Sequence, residues 1–276
     1  MQNIRLMAMD MDGTLLSSRR ELTPGTLRAL EAAREAGIHL ALCSGRAPGD
    51  LVTFAMEYGL QDVAILALNG TYCKASPLAE PFADHVFPDE TTLRLTGLFR
   101  KGGLPFCCFA QNRLVVFNTP EDPARAYYVN NAGSPWAPEF VFQRKGLQMA
   151  RPGGVNKLLC IFQNQAQKAK YTHLAEAIPG LDVSSSMPDN LEIMPLPWSK
   201  GTAVKELAEH WGLDASQVMT FGDWDNDLSM IEYAGWGVAM RNGSERMKKA
   251  ARLIAPSNDE DGVAQVIWEV LKQVSF

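Results

Sequence analysis

The chain has 276 residues, 46% hydrophobic and 21% charged, a globular balance that excludes wholesale disorder. That length suits one large domain or two modest ones, with a core that needs no disulfides or structural metal. Lys and Arg total 26 against 31 Asp and Glu, a formal net charge of −5. General nucleic-acid binding therefore lacks electrostatic support, and an anionic ligand must be drawn in by a local site.

The first stretch reads as strand, turn, helix. Ile4 to Met9 is a short continuous apolar run, as in a strand buried on both faces. Thr23-Pro24 starts a helix, with Thr as N-cap and Pro at the first helical position. Leu27, Leu30 and Ala33 recur at helical spacing, and Gly37 closes the helix. Ile38 to Leu42 is a second buried strand, Leu51 to Tyr58 a helix, and Val63 to Leu68 a third strand stopped by Asn69-Gly70. Strands alternating with helices imply a parallel sheet covered on both faces.

After about residue 80 the pattern changes, punctuated by Pro77, Pro81 and Pro88. A helix over Asp89 to Arg100 precedes a hairpin, Phe106 to Ala110 and Leu114 to Asn118 around Gln111-Asn112-Arg113. A helix near Pro123 to Asn130, a strand over Val155 to Phe162, a helix over Ala166 to Ile178 and a strand over Leu181 to Ser186 complete an α+β unit. Phe106, Phe109, Phe117, Phe140 and Phe142 read as its core. From Leu191 the first style returns. Leu191 to Met194, Val218 to Gly222 and Gly237 to Met240 are strands; Lys200 to Trp211, Asp225 to Ala234, Ser244 to Ala251 and Val263 to Val274 are helices. The organisation is one α/β domain built from residues 1–84 and 190–276, with an α+β domain, 85–189, inserted.

Five cysteines form no CxxC pair, and the first apolar run is too short for a signal-peptide core. No stretch approaches the roughly 20 apolar residues of a membrane helix. A reducing cytoplasm, with no membrane partner, is the expectation. The four histidines are scattered without paired ligand spacing, which argues against zinc.

Four short segments carry candidate chemistry. Asp10-Met11-Asp12-Gly13-Thr14 follows the first strand, where ligands bind in open parallel sheets. Two carboxylates at i and i+2 share a side while the chain is extended, and Gly13 permits a sharp turn. One can serve as nucleophile while the other handles protons. Gly222-Asp223-Trp224-Asp225-Asn226-Asp227 follows another buried strand. Its crowded carboxylates need a cation between them, and oxygen donors without His or Cys point to Mg²⁺. Asp225 also suits a helix cap. Ser44-Gly45-Arg46 ends the second strand with a hydroxyl and backbone N–H groups suited to an anion. Lys200 opens a helix, where its ammonium can offset carboxylate charge and hold a phosphate oxygen.

In order and spacing these segments resemble the haloacid dehalogenase-like (HAD) superfamily. The insertion between the second and third segments is similar to that of the Cof-type subfamily, IIB. The resemblance spans essentially the whole chain, including Leu191-Glu192-Ile193 before Lys200-Gly201 and Val238-Ala239-Met240 after the acidic loop. It implies a Rossmann-like, doubly wound parallel sheet with an inserted α+β cap. The implied activity is Mg²⁺-dependent hydrolysis of a small phosphorylated metabolite, a sugar phosphate or phosphorylated cofactor. By the same resemblance Asp10 is the nucleophile that forms an aspartyl-phosphate. Asp12 is the acid/base and binds metal through its carbonyl. Asp10 and Asp223 are carboxylate ligands, and Asp227 supports the metal indirectly. The Met11 and Gly45 N–H groups, Ser44, Asn226 and Lys200 hold phosphoryl oxygens.

Some residues depart from the pattern. Trp224-Asp225 fills the middle of the acidic loop, Arg241-Asn242-Gly243 replaces a more usual Gly-Asn-Ala, and Pro195, Pro197 and Trp198 crowd the approach to Lys200. None removes a catalytic group. Arg151 to Lys157 and Ser184-Ser185-Ser186 are candidate cap contacts to substrate. A phosphotransferase or mutase of the same superfamily is the alternative, and a non-catalytic phospho-ligand sensor is a further one. The expected assembly is a monomer or small homo-oligomer.

Overall fold

The computed structural model describes residues 3–118, 133–143 and 154–273. The helix expected near Pro123 to Asn130 lies outside them, as does Arg151.

The first segment forms β1 (Leu6–Met9), α1 (Pro24–Glu35), β2 (His39–Cys43), α2 (Pro48–Glu57), β3 (Ala64–Ala67), β4 (Tyr72–Lys74) and β5 (Pro81–Asp84). The middle forms α3 (Asp89–Lys101), β6 (Phe106–Ala110), β7 (Arg113–Phe117), β8 (Glu139–Gln143), β9 (Lys157–Ile161), α4 (Gln165–Glu176), β10 (Leu181–Ser184) and β11 (Asn190–Pro195). The last segment forms α5 (Lys200–His210), β12 (Val218–Gly222), α6 (Leu228–Tyr233), β13 (Trp236–Met240), α7 (Glu245–Ala250), β14 (Leu253–Ala255) and α8 (Gly262–Gln273).

Eight strands make one sheet in the order β14-β13-β12-β1-β2-β3-β4-β5. The six from β14 to β3 are parallel, and β4 and β5 add an antiparallel edge. The chain winds outward from β1 through β2 and β3, then returns on the other side as β12 to β14. β1 is therefore the point where strand order reverses, and a crevice opens at its C-terminal end. Alternation along β1 explains the two covered faces. Met7 and Met9 pack with Ala29 and Leu30 of α1 and Ile267 of α8. Leu6 and Ala8 pack with Ala203 and Leu207 of α5. Thr23 caps α1 as its sequence suggests, its Oγ1 accepting from the Thr26 N–H at 3.0 Å.

The second sheet has the order β10-β11-β9-β6-β7-β8. β7 and β8 are parallel and the other pairs antiparallel. One face carries α3 and α4, with Leu95, Phe99, Phe106, Phe117, Leu158 and Ile193 in its core. The opposite face, with Phe109, Leu114 and Leu159, joins the apolar cluster of the first domain. Asn112, in the turn between β6 and β7, accepts from the Gly49 N–H of α2 at 2.8 Å.

Three expectations change. The strand at Leu191 to Met194 belongs to the inserted domain: β11 lies between β9 and β10. The boundary by sheet membership thus falls after Pro195 and not before residue 190. An apolar run announces a strand, but pairing with close antiparallel neighbours decides which sheet takes it. Phe109 is not in the core between the cap sheet and its helices; it sits on the sheet's other face. β4, β5, β8 and β14 were not foreseen, because short runs at sheet edges show little periodicity.

Phe106 is fully buried, stacked on Phe117 at 4.6 Å between centroids and tilted against Phe99 at 5.7 Å. Phe106→Ala should lower stability by about 3–5 kcal/mol, read as a shifted urea midpoint by circular dichroism.

Candidate active site

Three strand ends meet at the crevice. Asp10 follows β1, Ser44 follows β2 and Asp223 follows β12. Beyond Asp10 the chain turns through Gly13 at φ 82°. A side chain at Gly13 would collide with the Asp223 carboxylate, so glycine is needed both for conformation and for space.

Lys200 is the first residue of α5. Ser199 caps that helix, its Oγ accepting from the Thr202 N–H at 3.3 Å while its own N–H donates to Thr202 Oγ1 at 2.7 Å. The cap fixes where the lysine stem leaves the helix. Its Nζ donates to Asp10 Oδ1 and to Asp227 Oδ1, both at 2.5 Å. Lys200 and Asp227 are fully enclosed. The other Asp227 oxygen accepts from the Asp223 and Trp224 N–H groups at 2.9 and 3.2 Å, which sets the acidic loop. Thr14 Oγ1 donates to Asp223 Oδ1 at 2.7 Å. Asn242 Nδ2 donates to the Gly13 carbonyl at 2.7 Å.

Asp10, Asp223 and Asp227 each offer an oxygen within 4.8 Å of the others. Burial pushes the Asp10 carboxyl well above its ordinary value; Lys200 pulls it back, and Asp227 and Asp223 push it up again. Asp223 is raised to about 7 by burial and by Asp227. Burial works against the Lys200 ammonium, yet Asp10 and Asp227 outweigh it and hold it well above the usual lysine range. One lysine does not compensate three carboxylates. The oxygen donors and the excess negative charge fit a hard divalent cation. Asp12 lies apart from the triad. Its carboxylate takes Arg46 Nε at 2.8 Å and Nη2 at 2.6 Å, a bidentate pair at the crevice mouth.

Between the domains lies a cavity of about 270 Å³. Asp10, Asp12, Ser44, Gly45, Asp223 and Asn226 line its floor. Phe109, Leu114, Leu159 and Met187 of the cap form its apolar roof. Lys200 and Asp227 stand behind Asp10, out of the cavity wall. The Met11 side chain is core, so only its backbone can serve the site. Of the suggested cap contacts, Lys157 and Ser186 line the cavity, whereas Ser184 and Ser185 line a separate crevice. Trp224 adds to the cavity wall, and Trp198 stacks on His85 at the domain junction.

Several residues of the site were not assigned roles from sequence. Thr14 and Arg46 adjoin the motifs and had only proximity to commend them. Glu192 stands at an enclosed position of an apolar strand, which is the signal that could have exposed it, and Lys157, the last residue of the suggested stretch Arg151 to Lys157, is enclosed in the same way. Asn69 looked like an ordinary turn residue. The cysteines are all free and buried, and burial pushes the Cys108 thiol up to about 12.

The chain belongs to the haloacid dehalogenase-like hydrolases, whose family model matches residues 7–267. It is 27% identical over 269 residues to the pyridoxal phosphate phosphatase YbhA of Escherichia coli, covering 97% of this chain and 98% of that one. A haloacid dehalogenase-like hydrolase from Bacteroides thetaiotaomicron superposes with a TM-score of 0.81 at 30% identity, covering 97% and 99% of the two chains. A HAD subclass IIB sugar phosphatase superposes with a TM-score of 0.81 at 23% identity, over 96% and 98%, and shares the fold of core and inserted cap. Among the described residues no helix is long and apolar enough to cross a membrane.

The raised Asp223 value has a consequence for stability. The folded chain holds that proton more tightly than the unfolded chain, whose Asp titrates near the ordinary 3.8. Metal-free stability at this site therefore declines as pH rises from about 4 towards 7. A divalent cation competes with the proton, so its stabilising effect should grow from pH 6 to pH 8. Thermal melts with and without Mg²⁺ should show a larger Tm increment at pH 8.

Proposed function

We propose that the chain is a Mg²⁺-dependent phosphatase that hydrolyses a small phosphorylated metabolite through an aspartyl-phosphate on Asp10. The observation that carries this reading is the Asp10 carboxylate at the switch point, one oxygen tied to Lys200 and two more carboxylates within reach of a shared cation. Asp10, the Asp12 carbonyl and Asp223 hold the metal, with Asp227 orienting the loop behind them. Bound there, Mg²⁺ supplies charge compensation that lets an anionic ester approach a carboxylate nucleophile.

The remaining steps belong to the chain's own groups. The Asp10 oxygen not bonded to Lys200 attacks phosphorus in line, and the bond to the leaving oxygen breaks. Asp12 gives a proton to that oxygen, then takes one from the water that cleaves the acyl phosphate. To do so it must leave at least one of its two bonds to Arg46. Ser44 Oγ, the Met11 and Gly45 N–H groups and Asn226 hold the phosphoryl oxygens and stabilise charge in the transition state, while Lys200, enclosed behind Asp10 and bonded to it and to Asp227, neutralises the nucleophile and does not touch the phosphate directly. Substrate of modest size fits the cavity, and the apolar roof excludes water while the leaving group is in place. The name of the YbhA relative, a pyridoxal phosphate phosphatase, supports including phosphorylated cofactors in the proposed substrate class. The cytoplasm, with its Mg²⁺ and phosphorylated metabolites, is the proposed setting.

The purified chain should hydrolyse p-nitrophenyl phosphate with Mg²⁺ and stop in excess chelator. Asp10→Asn should lower kcat at least about 10³-fold while the fold, read by circular dichroism, persists. Turnover that survives Asp10→Asn would refute the mechanism.

A further inference from the structure

The inserted domain reaches the catalytic loops through two charged side chains. Lys157 begins β9 and Glu192 lies in β11, its neighbour in the sheet. Alternation sends Leu158 and Ile193 into the cap's own core, while Lys157, Leu159 and Glu192 turn towards the first domain. Lys157 is 2% exposed and Glu192 3%. Lys157 Nζ donates to Glu192 Oε1 at 2.5 Å and to the Gly45 carbonyl at 2.7 Å. Its remaining side faces the Phe109 ring, 5.0 Å from the centroid. The other Glu192 oxygen accepts from Asn69 Nδ2 at 2.8 Å, and Asn69 Oδ1 accepts from Asn226 Nδ2 at 3.4 Å.

The path therefore runs from Gly45 through Lys157, Glu192 and Asn69 to Asn226. One end is the carbonyl of Gly45, whose N–H is assigned above to a phosphoryl oxygen, and the other is the Asn226 side chain, assigned the same role; they sit on two different loops of the first domain. The packing is tight. A Cβ built on Gly45 would lie 2.9 Å from Lys157 Nζ, 3.0 Å from Asn69 Oδ1 and 3.2 Å from Glu192 Oε1. An ion pair this deeply buried is no better for stability than two apolar residues of the same shape. The bonds it makes with the first domain are what an apolar pair would lack.

We infer that Lys157 and Glu192 are positioning residues that tie the docked cap to the phosphate cradle, holding the Gly45 loop and, through Asn69, the Asn226 side chain in register. The inference rests on the phosphatase reading, which supplies the roles of Gly45 and Asn226. It also sets limits on recognition. Lys157 gives two of its three N–H donors to Gly45 and Glu192 and turns its remaining side to Phe109, so the cap reads the leaving group chiefly through its apolar roof.

The test separates positioning from mere stability. Lys157→Met, Glu192→Leu and the double variant are compared with the unaltered chain in Mg²⁺. Three quantities are read: Tm, the Kd of inorganic phosphate by calorimetry, and KM and kcat for two aryl phosphates with different leaving groups. Each single variant should lose Tm, because it leaves a buried charge unpaired. The double variant should regain most of that Tm yet still bind phosphate about tenfold or more weakly. Its KM should rise by a similar factor for both esters. Phosphate affinity and KM restored together with Tm would overturn the inference and leave the pair a structural one. A KM change confined to one ester would overturn it in favour of leaving-group recognition. Absence of both phosphate binding and hydrolysis in the unaltered, folded chain would overturn the phosphatase reading and this inference with it.

Discussion

A fully buried ammonium held between two carboxylates is the constraint on which the site depends. Lys200 touches Asp10 and Asp227, residues from opposite ends of the chain, and none of the three charges could be buried alone. Satisfying them together fixes the start of α5 against the ends of β1 and β12. That junction defines which carboxylate oxygens remain for other partners. Asp227 has both oxygens engaged, one by the Lys200 ammonium and the other by the Asp223 and Trp224 N–H groups. Asp10 and Asp223 have capacity left over, and their values are raised first by burial and then by the neighbouring carboxylates.

The rest of the architecture follows from how two sheets share one seam. The eight-stranded sheet buries both faces under helices and leaves its strand ends for chemistry. The cap sheet buries one face under α3 and α4 and lays the other over those ends. Phe109, Leu114 and Leu159 make that surface apolar, which excludes water and strengthens every electrostatic interaction beneath it. Lys157 and Glu192 are charged residues on this surface, and their bonds cross the seam to Gly45 and Asn69 of the first domain.

Much of this was legible in the amino-acid order. The continuous apolar runs before Asp10, Ser44 and Asp223 announced buried parallel strands, and their ends are where the chemistry sits. The start of α5 was visible at Lys200, and the acidic pairing in Asp10-Met11-Asp12 and the Asp223 loop; the Ser199 cap emerges in the structure. The membership of β11 was not legible, because Leu191 to Met194 is apolar enough for either sheet. Nor was the partnership of Asp12 with Arg46, 34 positions away, which no local pattern encodes.

Local residue order dictated most of the elements, their sequence along the chain and the acidic and Ser-Gly-Arg segments, because periodicity, capping and turn chemistry act over a few residues, whereas the short edge strands β4, β5, β8 and β14 lack that periodicity. Chain packing, and nothing local, sets Lys200 between Asp10 and Asp227, puts Phe109 over the cavity, and lets Lys157, Glu192 and Asn69 join the cap to the Gly45 and Asn226 loops. Those relations depend on which strands pair and which faces meet. Residues 27 to 190 positions apart are brought within hydrogen-bond distance by the packing of whole sheets, and no local spacing records that outcome.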